Sequence, residues 1–394
     1  MRSSRLDVSV PTEAETGKGR GAPVLFERIL YFGADFRFHT GDVEVDAGRI
    51  AAVRPRGCTP RAMLLPGLVD IHLHGNSGAD FSDGAEEGLL RMARFLAAHG
   101  TTSFSPASLT LPEERLKAAY RTAARLHAVR PEGAAALRGI TMEGPFFSMG
   151  KRGAQNPEHL RLPDAALFAR LQREAAGLIR IACIAPELPG ALDCIRTVAA
   201  EGVKVSLAHT EADYDTASAA FDAGAAHVTH LFNAMPPLLH RAPGVIGAAS
   251  ERETVTAELI ADGIHVHPSA VRAAFRLFPG RVCLVSDALS ACGMPEGEYM
   301  LGGQAIRVSG PRAMLSDGTL AGSVATLFDC MKNAVRFGVP AEEAVRAASH
   351  TPARVIGADG ETGAIREGLA ADLLLCGMDW ELQAVYIGGM PVTV

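Results

Sequence analysis

The stretch PGLVDIHLHG, Pro66–Gly75, carries the first decision about the fold. With Leu64 and Leu65 before it, the run Leu68, Val69, Ile71 reads as a buried strand, yet it finishes in two imidazoles, His72 and His74. Residues two apart on a strand share a face, so the two rings stand side by side while Leu73 points the other way. Imidazole is the commonest protein ligand for zinc, iron and related ions, and a catalytic ion takes about three protein ligands plus an open position for water. The pair therefore calls for partners elsewhere in the chain. Two buried histidines hydrogen-bonded to backbone would explain an isolated pair equally well, so the remaining sequence has to decide.

Outward from that strand the chain changes rhythm twice. From Val24 to Leu65 the segments VLFERILYFG, FRFHTGDVEVDAGRIAAVRP and AMLLP are short and strand-like, with Asp46-Ala47-Gly48 as a hairpin turn. After Gly75 helices and strands alternate. EEGLLRMARFLAAHG and PEERLKAAYRTAARLHAV read as helices, while TTSFSPAS, LRGITMEGP, LIRIACIAPE, VKVSLAHT, AAHVTHLFNAM, VTAELIADGIHVH and RVCLVSDALS supply strands. Repeated βα units over roughly 250 residues predict an α/β protein with a closed (β/α)8 barrel of the TIM type, a doubly wound open sheet being the alternative.

Past Asp287 come an extended AMLSDGTL, helices over TLFDCMKNAVRFG and AEEAVRAASHTPARVIG, and the strands ADLLLCG and LQAVYIGGMPVTV with no helix between them. Both chain ends are thus expected to build one small β-sandwich-like domain, residues 24–65 plus 355–394, around a barrel spanning 66–354. Residues 1–23, without the apolar core of a signal peptide, read as a loose leader.

A chain of 394 residues with 48% hydrophobic content can bury a core of that size. A net charge of -6 argues against nucleic acid or an anionic membrane as the main partner, while leaving room for a local basic pocket that takes an anionic small molecule. The seven cysteines are scattered, odd in number and form no Cys-x-x-Cys, which fits reduced thiols in a cytoplasm. No run of about 18 apolar residues marks a membrane span.

In a barrel the active-site residues sit at the C-terminal ends of the strands. His72 and His74 end the first strand, Glu143 follows RGITM, His209 follows VKVSLA, His230 follows AHVT, His265 and His267 follow LIADGI, and Asp287 follows CLVS. Any one of these alone would more often be structural. So many strand ends carrying only His, Glu or Asp point to a metal site at one mouth of the barrel. Gly144 and Pro145 force a turn that holds Glu143 at its strand tip. Asp287 is the best general base, its alternative being an N-cap for the segment that follows. Spacing does not say which His-x-His pair, His72/His74 or His265/His267, would bind metal.

The long stretches MEGPFFSMGKRGAQNPEHL, THLFNAMPPLLHRAPGVIG, IADGIHVHP, VSDALSACGMPEGEY and DGTLAGS, with PGLVDIHLHG and the tail GAIREGLAADLLL, resemble the amidohydrolase superfamily. Within it they resemble the N-acetylglucosamine-6-phosphate deacetylases, from about residue 24 to the end. The resemblance implies a cytoplasmic, homodimeric hydrolase of amino-sugar catabolism acting on a small sugar phosphate. N-acetylgalactosamine 6-phosphate, a cyclic amide or an N-acyl amino acid are the alternative substrates. It implies that Glu143, His209 and His230 hold a principal divalent metal, zinc or iron. His72 and His74 would add a second site, giving one or two ions per subunit, and Asp287 would contact the metal and act as catalytic acid and base. His265 would assist the reaction, and Asn233, the Ala234 backbone, Arg241 and His265 would contact the substrate. Gln155 stands where some relatives have histidine, so any substrate contact there is made by an uncharged amide.

Overall fold

The computed structural model describes residues 23–392, so residues 1–22 of the expected leader lie outside the described residues. The chain opens with β1 (Val24–Phe32), β2 (Phe38–Asp46), β3 (Arg49–Pro55) and β4 (Ala62–Pro66). β5 (Leu68–Asp70) follows immediately, then a short hairpin of β6 (Gly75–Asn76) and β7 (Ala79–Asp80). The alternating region supplies β8 (Thr101–Phe104), β9 (Ala136–Leu137), β10 (Ile140–Met142), β11 (Ile179–Ile184), β12 (Lys204–Leu207), β13 (His227–Val228), β14 (Thr256–Ile260) and β15 (Val282–Val285).

These strands run parallel in two arcs, β5-β8-β9 and β10-β11-β12-β13-β14-β15. A parallel bridge between Ala107 and Thr141 joins the arcs. The ring closes where the Asp287 N–H donates to the His72 carbonyl at 2.9 Å and the His74 N–H donates to the Ala288 carbonyl at 2.8 Å. With β9 and β10 counted as one interrupted strand, this is the eight-stranded barrel, and its closure excludes the open sheet. The strands IRIACI, TAELI and VCLV are almost wholly buried because helices cover them outside and side chains fill them inside. Val69, Ile71, Ile181, Cys183, Ile260 and Val285 pack in one cluster with Ala353, Val355 and Ile356, so the helix His350–Val355 lies against the barrel interior.

Outer helices bury one stripe each: Leu89, Met92, Ala93 and Leu96 in Glu86–Ala98, and Leu116, Ala119, Tyr120 and Ala123 in Glu113–Val129. Helix Tyr214–Asp222 buries Ala217, Ala220 and Phe221, whereas Tyr214 sits half out and gives its hydroxyl to Glu251 at 2.6 Å. The helix expected over AEEAVRAASHTPARVIG breaks at Ser349 into Ala341–Ala348 and His350–Val355. Pro352 has no N–H for the Ala348 carbonyl and its ring would crowd that oxygen.

Beyond β15 lies a four-stranded antiparallel sheet, β16 (Gly297–Leu301), β17 (Gln304–Ser309), β18 (Arg312–Leu315) and β19 (Leu320–Gly322). Only residues 313–320, across its last two strands, were expected to be extended, as one stretch. The turn at Gly302-Gly303, both at positive φ, is the hairpin signal for the first two. The chain then returns through β20 (Leu373–Cys376), β21 (Leu382–Ile387) and β22 (Met390–Pro391) to complete a seven-stranded sheet ordered β22-β21-β20-β4-β1-β2-β3. Only β1 and β4 pair in parallel there. The sheet rolls so that the Ala371 N–H reaches the Gly48 carbonyl, enclosing Phe26, Ile29, Val43, Ile50, Leu64, Leu373 and Tyr386 as its own core.

Candidate metal centre

The strand expected over Pro66–Gly75 ends at Asp70, and His72 and His74 lie just past it. Hydrogen bonds from their segment to Asp287 and Ala288 hold it in place, and both rings still face the mouth. A Cβ on Gly75 would fall 2.2 Å from the Ala79 carbonyl oxygen, so only glycine lets the chain turn directly after His74. His209, His230 and Asp287 follow their strands with φ of 45°, 28° and 49°, in the left-handed region. Such strain persists where surrounding structure holds it, and it clusters at functional sites.

Two groups of buried side chains form, Glu143 with His209 and His230, and His72 with His74 and Asp287. Glu143 Oε1 lies 3.1 Å from His209 Nε2, 3.2 Å from His230 Nε2 and 3.4 Å from His72 Nε2. Its Oε2 lies 3.3 Å from His74 Nε2, which is itself 3.4 Å from Asp287 Oδ1. One carboxylate thus touches both groups.

The far side of every ring fixes its orientation. His209 Nδ1 donates to the Lys151 carbonyl at 2.8 Å, His230 Nδ1 to the Asn233 carbonyl at 3.2 Å and His74 Nδ1 to the Ala107 carbonyl at 3.2 Å. His72 Nδ1 donates to Glu258 Oε2 at 2.8 Å. Carbonyl and carboxylate oxygens only accept, so each Nδ1 carries its hydrogen, and in the neutral ring each Nε2 turns a lone pair toward the centre. His209 Nε2 and His230 Nε2 are only 3.2 Å apart, and His72 Nε2 is buried with no hydrogen-bond partner. Converging lone pairs of this kind need a cation or protons between them, and the donor set of imidazole and carboxylate suits a transition-metal divalent ion.

Electrostatics follow the same geometry. Burial pushes His74 down, but its contacts with Asp287 and Glu143 outweigh this and bring it up to about 10. Burial would raise Glu143, and the charge on His72 with hydrogen bonds from His209 and His230 instead holds it well below the usual carboxylate range. Asp287 is likewise lowered against burial by His74, His72 and His230. Protons and a metal ion compete for these positions, so ion uptake releases protons.

A cavity of about 430 Å³ opens above the two groups, lined by His74, Glu143, His209, His230, Asn233, Ala234, His265 and Asp287. Lys151, Arg152, Gln155, Leu301, Asp317 and the Thr319–Gly322 segment complete the wall. Asp262 orients His265 by accepting its Nδ1–H at 2.7 Å and its backbone N–H at 2.9 Å. His267 takes no part. It accepts the Ser269 N–H at the start of helix Pro268–Leu277, outside the cavity.

Two further residues differ from expectation. Gln155 lines the cavity, but its amide is already engaged: Nε2 donates to Glu143 Oε2 at 2.8 Å and Oε1 accepts the Thr110 N–H at 2.7 Å. Arg241 is exposed on the loop after Leu239 and does not line the cavity of its own chain.

The amidohydrolase family model matches residues 63–392. The chain belongs to the amidohydrolase family. Among characterised amidohydrolases it is 39% identical to the N-acetylglucosamine-6-phosphate deacetylase of Bacillus subtilis, over 82% of each chain. It is 35% identical to the N-acetylgalactosamine-6-phosphate deacetylase of Escherichia coli O157:H7, over 87% of this chain and 92% of that one. An aspartate-to-alanine variant of the Mycobacterium smegmatis N-acetyl-D-glucosamine-6-phosphate deacetylase, solved with N-acetyl-D-glucosamine 6-phosphate, superposes with a TM-score of 0.88 at 33% identity, covering 95% of this chain and all of that one. The Thermotoga maritima deacetylase gives 0.86 at 30% identity, covering 94% of this chain and 99% of that one.

Glu258, Asp262, Lys151 and Arg152 join the site without having been expected from the sequence. The one signal for Glu258 is an acidic residue inside the apolar strand TAELI of this amidohydrolase.

Proposed function

We propose that this amidohydrolase removes the acetyl group of N-acetylglucosamine 6-phosphate, giving acetate and glucosamine 6-phosphate. The observation that carries the reading is the meeting of Glu143, His209, His230 and Asp287 with the cations Lys151 and Arg152 in one cavity. It is supported by deacetylase relatives of nearly full length, one of them solved with that sugar phosphate.

Glu143, His209 and His230 would hold the principal divalent ion, zinc or iron, and His72, His74 and Asp287 a second. When bound, such an ion supplies a Lewis acid for the amide carbonyl and an acidified water. Asp287, ionised in its buried position, takes the proton of the attacking water as the C–O bond forms. It returns that proton to the nitrogen as the C–N bond breaks, so the amine leaves neutral. His265, whose Nδ1–H Asp262 accepts and whose imidazolium form that carboxylate favours, donates its Nε2–H to the oxygen on which charge develops. Asn233 and the Ala234 backbone position the sugar, and Lys151 and Arg152 face the phosphate from the same chain. Gln155 holds Glu143 in place. Arg241, beside the exposed Leu238 and Leu239, fits a homodimer in which this loop reaches the partner's cavity. Seven free cysteines, six of them buried, fit a reducing cytoplasm.

Acetate release from N-acetylglucosamine 6-phosphate and its galacto epimer tests the assignment. A higher kcat/KM for the gluco sugar is expected, and a preference for the galacto epimer or for an unphosphorylated amide would overturn it.

A further inference from the structure

We infer that Glu258 is a positioning residue that prepares the His72–His74–Asp287 group for a second divalent cation; this rests on the two-ion reading above. Glu258 lies in β14, fully buried, and its carboxylate touches neither the cavity nor the converging Nε2 atoms. It accepts three hydrogen bonds instead. Oε2 takes the His72 Nδ1–H at 2.8 Å and the His230 backbone N–H at 3.2 Å, and Oε1 takes His227 Nε2 at 3.1 Å. His227 is in turn anchored through Nδ1 to Thr256 Oγ1 at 2.6 Å.

Two consequences follow from these contacts. The carboxylate fixes the ring of His72 with hydrogen on Nδ1, so the partnerless Nε2 is the atom left to bind an ion. The other histidines of the centre rest on neutral carbonyls, whereas His72 alone rests on a carboxylate, which adds negative charge behind a cation and raises the basicity of the ligand. Because Glu258 also holds the His230 backbone, it braces one ligand of each group and keeps the two at a fixed separation. A buried carboxylate carries a large desolvation cost, which these three donors offset.

The test reads metal binding without substrate, so it stands apart from the deacetylase assignment. Metal-stripped full-length protein is dialysed against buffered zinc, and ions per chain are counted by elemental analysis. The wild-type chain is expected to take two ions. Glu258→Gln keeps the volume and one accepting oxygen while removing the charge. It should retain the first ion and weaken the second by about 10–100-fold. His227→Gln, which leaves Glu258 charged and in contact with His72, should weaken the second ion less, and it serves if Glu258→Gln fails to fold. Wild-type protein that takes a single ion overturns the inference. So does a Glu258→Gln chain that binds both ions normally or loses both equally, or a His227→Gln chain with normal binding should Glu258→Gln not fold.

Discussion

Asp287 combines three conditions at one position: it is buried, it sits in a strained turn at φ 49°, and His74 holds its carboxyl low. Asp287→Asn keeps the shape and removes the basic oxygen. Turnover should fall about 10²–10⁴-fold with the Glu143 group still able to take metal, and near-normal turnover would refute its acid-base role. Gln155 makes a different prediction. In Gln155→Ala the buried Thr110 N–H loses its partner and Glu143 Oε2 loses its amide donor, keeping only its contact with His74, so the fold should lose about 1–3 kcal/mol and zinc affinity about tenfold, read by denaturant melts and chelator competition. At this scale the sequence was readable only in part. Strand-end histidines are visible because strand and turn are local signals. Glu258 was not, because 186 residues separate it from the His72 it holds, and an acidic residue in an apolar strand does not announce its partner.

At the scale of elements, the barrel rests on strands packed on both faces. Ile181 in β11 is fully buried, and Ile181→Ala should cost about 2–5 kcal/mol in urea unfolding; a cost under 1 kcal/mol would mean that the interior collapses around the change. Outside, helix Glu113–Val129 is tied to helix Ala165–Glu174 by Arg170, whose Nε and Nη2 donate to the two Glu113 oxygens at 2.8 and 3.1 Å. Arg170 and Lys117 pull the Glu113 carboxyl down to about 2. A carboxyl with a depressed folded pKa stabilises above its unfolded value near 4.5, and that contribution is lost as pH falls toward 2. Glu113→Gln should therefore be slightly less stable than wild type at pH 7, with the gap narrowing below about pH 4.5. A gap independent of pH would assign the effect to packing. The alternating helices and strands were legible because their apolar periods differ. The first two strands of the four-stranded sheet were missed because apolar Met300 and Ala305 stand on the exposed face and polar Gln304 shares the face of buried Ile306 and Val308, which blunts the alternation.

For the whole molecule, the return of the C-terminal strands beside β4 closes the rolled sheet, and the β15-to-His72 contacts close the barrel. The strand β20 and the segment after β15 thus converge on the stretch 62–74 and set the position of its two histidines. That the terminal strands belong together followed from the absence of helices between them. That Arg241 stands outside its own cavity did not follow, because a motif gives a residue's neighbours in sequence and not the chain it serves. If it serves a partner, Arg241→Ala should raise KM for the phosphorylated sugar about tenfold or more with kcat little changed, and sedimentation should find a dimer. An unchanged KM would leave the phosphate to Lys151 and Arg152. That the converging Nε2 atoms hold a catalytic ion is checked by stripping metal from the protein and following acetate release from N-acetylglucosamine 6-phosphate as zinc or iron is restored. Activity that vanishes on stripping and returns with one or two equivalents is predicted, whereas full turnover by metal-free protein, or none after restoration, would contradict it.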